Sequence, residues 1–213
     1  MEVSESWEWF CGGNYSATEF YAANSTINST DNILGTPCVV NGLDVFPHFI
    51  FAVFALLLIL FLSCCTKFKT VNPAHLLRFP GHAPRSVCLV VLFILLAGSL
   101  GEGILTDATF AQPTQPHLYL PQCCAIIALF VGLALYQHME MWSASNLVWA
   151  VVIYWICALA TQTIRMLSLE YLDKDSIQVA RFDFTLALII VYFLLILLDL
   201  NVIRVRVSID YLE

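Results

Sequence analysis

Five apolar blocks, separated by polar segments, divide the chain. Each block is close to the ~20 residues that an α-helix needs to cross the hydrocarbon core of a bilayer, and none has a charged residue at its middle. The pattern predicts an all-α integral membrane protein, folded as a bundle of five transmembrane helices. We place these helices at about 46–65, 86–105, 118–136, 147–164 and 182–200.

The composition agrees with this pattern. Hydrophobic residues make up 60% of the 213 residues and charged residues only 12%, and the mean hydropathy is +0.81. A soluble domain of this length needs a larger polar surface. The net charge is −7, and residues 1–44 contain six acids but no Lys or Arg. Because an acidic surface repels phosphates and no basic run occurs elsewhere, nucleic acid is not an expected partner.

The basic residues predict the orientation of the bundle. Cytoplasmic loops carry an excess of Lys and Arg, and no cleavable signal peptide is visible, so the first apolar block is expected to direct insertion. We therefore predict an extracellular segment at 1–45, a transmembrane domain at 46–206 and a cytoplasmic tail at 207–213. The predicted inner side holds Lys67, Lys69, Arg78, Arg85, Arg204 and Arg206, and the outer side holds only Arg165, Lys174 and Arg181. A chain of this kind reaches the plasma membrane through the endoplasmic reticulum.

Modification motifs support the same orientation. Asn14, Asn24 and Asn28 each begin an acceptor sequon, and glycans are added only in the lumen. Cys11 and Cys38 lie in the same segment, where an oxidising compartment favours a disulfide over two free thiols. At the other side of the membrane, Cys64-Cys65 fits either small buried residues or an S-palmitoylation site.

The chain offers little chemistry of its own. The ionisable residues Glu102, Arg165 and Asp199 fall near predicted helix ends, and the helix interiors hold only neutral polar groups, so neither a proton relay nor a pore is expected. The five histidines lack metal-site spacing and are expected at the headgroup level. No phosphate-binding loop is present, and we predict no metal, no cofactor and no enzyme activity. A membrane enzyme built from His48, His117 and Glu102 is the weakest alternative.

Helix packing remains as a role for the apolar blocks. Two stripes of small residues favour close backbone approach: Cys124, Ala128 and Gly132 in block three, and Ala97 with Gly101 in block two. Block one has no polar residue from Phe49 to Leu62. Its surface can face lipid or bind the helix of another membrane protein, and the pattern leaves both open.

Several strings together are specific to one family. They are Phe79-Pro80-Gly81-His82 followed by Arg85, Glu102-Gly103-Ile104-Leu105-Thr106-Asp107, His117-Leu118-Tyr119-Leu120-Pro121, Tyr154-Trp155, and Asn201-Val202-Ile203-Arg204-Val205-Arg206. Their order and spacing resemble the N-terminal transmembrane domain of sulfonylurea receptors, which are members of ABC transporter subfamily C. The resemblance covers nearly the whole chain.

The resemblance implies a function. In that family a five-helix domain precedes the ABC core and binds the inward-rectifier pore subunit of the ATP-sensitive potassium channel. Helix one is expected to pack against the outer helix of the pore subunit, and the inner loops to meet its cytoplasmic N-terminus near nucleotide and phosphoinositide sites. The expected channel-binding residues are Phe49, Phe51, Phe54, Arg85 and Glu140.

The resemblance also locates modifications and departures. The family's cysteine pair maps onto Cys11 and Cys38, and its early glycosylation site maps onto Asn14. Where the family has an aromatic residue and a Lys after the equivalent of Glu140, this chain has Ala144 and Asn146, and Val207 replaces a second Arg in the tail.

Two further questions stay open at this stage. The accessory N-terminal domain of a subfamily C exporter, serving trafficking or protein docking, is the alternative function. The sequence ends at Glu213, before any ABC core, so we expect either a fragment of a receptor or a short protein that carries only the channel-binding module.

Overall fold

Five long helices make up nearly all of the structure. The computed structural model describes residues 10–11, 37–64, 82–110, 115–142, 147–170 and 176–210. The helices are α1 (Pro37–Cys64), α2 (His82–Phe110), α3 (Leu120–Trp142), α4 (Val148–Glu170) and α5 (Ser176–Asp210), with a short 3₁₀ helix at Pro116–Leu118 before α3. Each of the five is long and apolar enough to cross a membrane. The predicted all-α, five-helix integral membrane fold is confirmed.

The helices extend beyond the apolar blocks. α1 begins at Pro37 rather than at residue 46, and α5 runs from Ser176 to Asp210 rather than over 182–200. Hydropathy detects the part of a helix that lies in hydrocarbon, whereas the helix continues into the polar interface. Pro37 suits a first turn, because its missing N–H would have no intrahelical partner there. Pro47 lies inside α1, so the Leu43 carbonyl loses its usual intrahelical bond.

The helices form a ring in which spatial order differs from chain order. α1 packs against α3 and α4, α2 packs against α3 and α5, and α4 packs against α5. α1, α3 and α5 run in one direction, and α2 and α4 run in the other. We call the end of the bundle where α1 begins the Pro37 end, and the opposite end the Cys64 end.

The core of the ring is continuous from one end to the other. Its largest fully buried apolar side chains come from α2, α3, α4 and α5, and they are Leu92, Leu96, Leu135, Met139, Trp155, Leu188, Tyr192 and Leu195. α1 is the least enclosed helix, since 22% of its spanning segment is buried against 44% for α3. Much of its surface is therefore exposed outside the bundle.

Small residues allow two close contacts between elements of the bundle. Only one of the two predicted stripes of small residues contributes to them. A Cβ built on Gly132 would lie 3.2 Å from the Phe51 ring, and Ala128 is fully buried, so the predicted α3 stripe packs inside the bundle, and at Gly132 its neighbour is a side chain of α1 rather than backbone. A Cβ on Gly103 would collide with the backbone carbonyl of Leu118. The expected packing role of Ala97 and Gly101 is wrong within this chain, because both are exposed and a Cβ on Gly101 meets nothing within 4 Å.

Candidate functional site

One face of α1 is apolar, exposed and continuous. Its residues recur three or four positions apart, which places them on one side of a helix. They are Phe46, Phe49, Ile50, Val53, Phe54, Leu57, Leu60 and Phe61, and their exposed fractions run from 43% to 62%. We call this set the α1 face. Of the predicted channel-binding residues, Phe49 and Phe54 lie on it.

Phe51, a third predicted channel-binding residue, lies on the opposite side of α1. It is 5% exposed, and its ring stacks on that of Tyr154 in α4, with centroids 3.9 Å apart and planes inclined by 9°. Gly132 of α3 leaves the space that the same ring fills. Phe51 therefore joins α1 to the bundle, and the residues available to a partner are its neighbours along the helix.

A buried carboxylate fixes the rotation of α1 at the Pro37 end. Asp44 is 2% exposed, and it accepts hydrogen bonds of 2.7 Å from the Thr161 hydroxyl and 2.7 Å from the Gln162 amide. Arg165 approaches the same carboxylate to 3.9 Å, and His48, one turn along α1, to 3.7 Å. A carboxylate without donors would destabilise the bundle, so Asp44 must face these groups of α4. This requirement sets which side of α1 turns outward.

Two histidines are buried inside the protein. His48 is 1% exposed, and its Nδ1 shares a 2.9 Å hydrogen bond with the Tyr154 hydroxyl. His117, in the 3₁₀ helix, is fully buried and meets the Phe10 ring edge to face. Burial lowers the pKa of His117 to about 4, against the opposing effect of the Phe10 backbone, so the ring is neutral at physiological pH. Each of the two contacts an aromatic ring, Tyr154 for His48 and Phe10 for His117, and their depth relative to the headgroups stays a prediction.

At the Cys64 end, four helices meet at the carboxylate of Asp199, which we call the Asp199 cluster. Arg85 of α2 donates from Nε at 2.9 Å and brings a second guanidinium nitrogen to 2.7 Å. Tyr136 of α3 donates its hydroxyl, and Trp155 of α4 donates its indole N–H at 3.1 Å. The Arg85 guanidinium also lies 4.7 Å from the centre of the Tyr136 ring, within cation–π distance.

Arg85 was predicted to bind the channel, and the structure places it inside the bundle. It is 3% exposed and Asp199 is fully buried, so the pair is a contact between α2 and α5. The sequence placed Asp199 near a helix end and gave it no partner. Its position within the span of α5 is the signal that could have revealed one, because an acid there needs a cation and donors.

A second ion pair joins α2 and α5 at the Pro37 end. Arg181 Nε donates to Glu102 Oε1 at 2.7 Å, and Arg181 also donates to the Thr106 hydroxyl at 3.0 Å. Thr106 in turn donates to the Glu102 carboxylate at 2.9 Å. Glu102 keeps 19% of its side chain exposed, so this pair is more open than the Asp199 cluster.

The remaining predicted residues fall partly outside the described ranges. Cys11 and Cys38 form a disulfide with Cα atoms 5.7 Å apart, which attaches residues 10–11 to the first turn of α1. Glu140 lies in the last turns of α3, and its side chain is outside the described part. The sequons at Asn14, Asn24 and Asn28 are also outside it. Cys64 is exposed at the end of α1, whereas Cys65 is not described.

Comparisons with known proteins agree on one group of relatives. No model of a known protein family matches the chain. The chain is 33% identical over 199 residues to ATP-binding cassette sub-family C member 8 of Cricetus cricetus and of Rattus norvegicus, and 33% identical over 200 residues to that of Homo sapiens. Each match covers 92% of this chain and 12% of the relative, so the chain spans about an eighth of the length of these proteins.

These matches confirm the predicted resemblance to sulfonylurea receptors. Because the aligned part is made of membrane helices, the chain is a membrane domain related to the subfamily C ABC transporters.

Proposed function

We propose that this chain is a regulatory and assembly module of an ATP-sensitive potassium channel. It binds the inward-rectifier pore subunit through the α1 face and through the loops at the Cys64 end, and it has no catalysis of its own. One observation carries the proposal: α1, which has the smallest buried share of the five spanning segments, presents a continuous exposed apolar face in a chain that is similar over 92% of its length to sulfonylurea receptors.

The construction of α1 favours a protein partner over lipid. Lipid tails solvate an apolar face of any shape and in any rotation, so they do not require a fixed helix orientation. Here α1 is held in one rotation by Asp44, His48 and Phe51, which contact α4 on the side opposite the exposed rings. An apolar face that is presented in one rotation allows the close packing on which helix association inside a bilayer depends.

The proposal includes an orientation. The Pro37 end faces the outside of the plasma membrane, and the Cys64 end faces the cytoplasm. The basic residues, the three sequons and the Cys11–Cys38 disulfide support this orientation. Replacing Asn14, Asn24 and Asn28 one at a time by Gln is expected to remove one glycan each, visible as steps in gel mobility.

The test is co-expression with a tagged inward-rectifier pore subunit. We expect the chain to co-purify with the pore subunit in detergent or nanodiscs, and the double variant Phe49→Ala/Phe54→Ala to weaken the association about tenfold or more. The matched control is Phe130→Ala/Phe193→Ala, which removes two equally exposed rings from α3 and α5 and is expected to keep it. A wild-type chain that never associates with the pore subunit would contradict the proposal.

Single-channel recording separates the two parts of the role. Association with a changed open probability supports regulation, whereas association at unchanged open probability leaves assembly or trafficking as the function. Ala144 and Asn146 stand where the family has an aromatic residue and a Lys, which favours a weaker gating effect than in the full receptors.

The second candidate is the accessory N-terminal domain of a subfamily C exporter. The subfamily named by the relatives supports it. An exporter core encoded downstream in the transcript, with transport of organic anions by the complete product, would favour this function over channel binding.

A further inference from the structure

Three buried polar atoms of the bundle have no hydrogen-bond partner among the residues that the structure describes. They are Nε2 of His48 in α1, Oε1 of Gln162 in α4 and the hydroxyl oxygen of Tyr192 in α5. Each of the three side chains is at most 2% exposed and lies within a membrane-spanning segment. A buried polar atom without a partner costs free energy, and the hydrocarbon around the bundle offers it none.

Two of these atoms lie beside the carboxylate of Asp44. Gln162 donates from its amide nitrogen to one oxygen of Asp44 at 2.7 Å, so its Oε1 points away from that oxygen. The Nδ1 atom of His48 shares its hydrogen bond with Tyr154, and Nε2 is left 3.7 Å from the other Asp44 oxygen. That distance is too long for a hydrogen bond. Both atoms are therefore held in place by the contacts of their neighbours and lack contacts of their own.

Tyr192 brings the third atom from α5, which is not one of the main neighbours of α1. Its ring lies 5.7 Å from that of Trp155, whose ring lies 4.6 Å from that of Tyr154, centre to centre. The Tyr192 hydroxyl is within electrostatic range of the Tyr154 hydroxyl and of the Asp44 carboxylate. A Phe would fill the same space without a hydroxyl to satisfy, so the Tyr at this position points to a polar ligand.

The chemistry of the three atoms fits water. The Gln162 oxygen only accepts, the Tyr192 hydroxyl donates and accepts, and Nε2 of His48 does one or the other according to its tautomer. A buried water molecule makes about three hydrogen bonds in both senses. A metal cation fits less well, because Arg165 already lies 3.9 Å from Asp44 and a further positive charge would be unbalanced.

We propose that ordered water binds inside the bundle among His48, Gln162 and Tyr192, and that it connects α5 to α1 through the polar groups around Asp44. The water donates to Oε1 of Gln162 and shares hydrogen bonds with the Tyr192 hydroxyl and with Nε2 of His48. This site concerns the chain alone and does not rest on the proposed function.

The first experiment is hydroxyl-radical footprinting with a synchrotron X-ray beam, on the full chain in nanodiscs. A bound water molecule that the beam ionises forms its radical in place, so it oxidises side chains that bulk radicals do not reach. We expect mass spectrometry to show Tyr192 and His48 oxidised several-fold faster than Trp155. Trp155 is the matched reference, because it is 1% exposed and its N–H is already bonded to Asp199. Oxidation of Tyr192 no faster than that of Trp155 would overturn the proposal.

The second experiment is the substitution Tyr192→Phe, for which the sign of the stability change is decisive. If water binds the hydroxyl, its removal should lower the equilibrium constant for folding about three- to tenfold. Tyr154→Phe removes the hydroxyl bonded to His48 and gives the reference for the loss of one hydrogen bond. A hydroxyl without a ligand is costly, so unchanged or higher stability in Tyr192→Phe would overturn the proposal. If that variant does not fold, footprinting of the wild type decides.

The third experiment separates water from a monovalent cation. Unfolding of the wild type and of Tyr192→Phe is compared in sodium, potassium and choline chloride at equal ionic strength. A cation bound only by the folded chain would make stability rise with its concentration. We expect the difference between the two proteins to be the same in all three salts. A difference that disappears in choline would assign the site to the cation and overturn the proposal.

Discussion

The two ends of the bundle are held together by different means. At the Cys64 end, α2, α3, α4 and α5 meet at the single fully buried carboxylate of Asp199. At the Pro37 end, the charged contacts are divided between two acids, Asp44 between α1 and α4 and Glu102 between α2 and α5. Replacing the single residue Asp199 should therefore remove the contacts of four helices at the Cys64 end. At the Pro37 end, replacing one acid should remove the contacts of one helix pair and leave those of the other.

The largest expected effect comes from deleting the shared carboxylate. Asp199→Ala removes the charge partner of Arg85 and the acceptor of Tyr136 and Trp155, and breaking a buried pair in this way costs about 3–5 kcal/mol. Chemical unfolding in mixed micelles measures the loss. Glu102→Ala is the comparison, and since Glu102 is 19% exposed and Arg181 keeps the Thr106 hydroxyl as an acceptor, we expect a smaller loss of about 1–3 kcal/mol. Equal losses at the two ends would remove the distinction between them.

The next largest expected effect is a dependence of the free energy of unfolding on pH, caused by His117 at the Pro37 end. The pKa of His117 falls from 6.5 to about 4 on folding, so the unfolded chain binds the proton first as the pH drops. The free energy of unfolding should therefore decrease between about pH 6.5 and pH 4, by up to about 3 kcal/mol, and then level off. Unfolding of the wild type and of His117→Gln over this range isolates the contribution, because other acids titrate in both. If the free energies of unfolding of the two proteins changed in parallel with pH, the expected contribution of His117 would be contradicted.

Loss of Asp44 is expected to release one helix rather than the whole end. Asp44→Asn removes the charge near Arg165 and an acceptor for Thr161 or Gln162, at a cost of about 2 kcal/mol. Hydrogen exchange should show faster exchange in α1 with little change in α2 and α5. Uniformly faster exchange in all helices would show that this end is as cooperative as the other.

The smallest effect tests backbone packing at the Pro37 end. Gly103→Ala places a methyl group against the Leu118 carbonyl, and the required shift should cost about 1–2 kcal/mol. Gly101→Ala, two residues earlier, adds the same methyl to open space and should be neutral or stabilise by about 0.5 kcal/mol. The thermal stability of the two variants in detergent gives the comparison directly. A loss in Gly101→Ala equal to that in Gly103→Ala would show that packing is not the cause.

Hydrophobic patterning was sufficient for the number and the approximate position of the helices, because crossing hydrocarbon requires about 20 apolar residues in any context. It was not sufficient for their contacts. Phe49, Phe51 and Phe54 are the same residue type within one apolar run, so the sequence does not distinguish them. The stacking of the Phe51 ring on Tyr154 shows that Phe51 alone of the three faces the bundle. Arg85 looked like a loop residue, because the partner that draws it inside is more than a hundred positions away in α5. Such pairings depend on the ring order of the helices, which no local pattern encodes.

That ring order has a consequence for biosynthesis. α1 is made first, but its main neighbours are α3 and α4 rather than α2. The polar side of α1 therefore enters the membrane without its partners on α4. Synthesis proceeds at about 5–20 residues per second, so Asp44 and His48 wait on the order of 5–20 s after α1 is complete until α4 follows. Throughout that interval Asp44 and His48, one turn apart on α1, have each other but not the hydroxyl, amide and guanidinium groups that α4 later supplies.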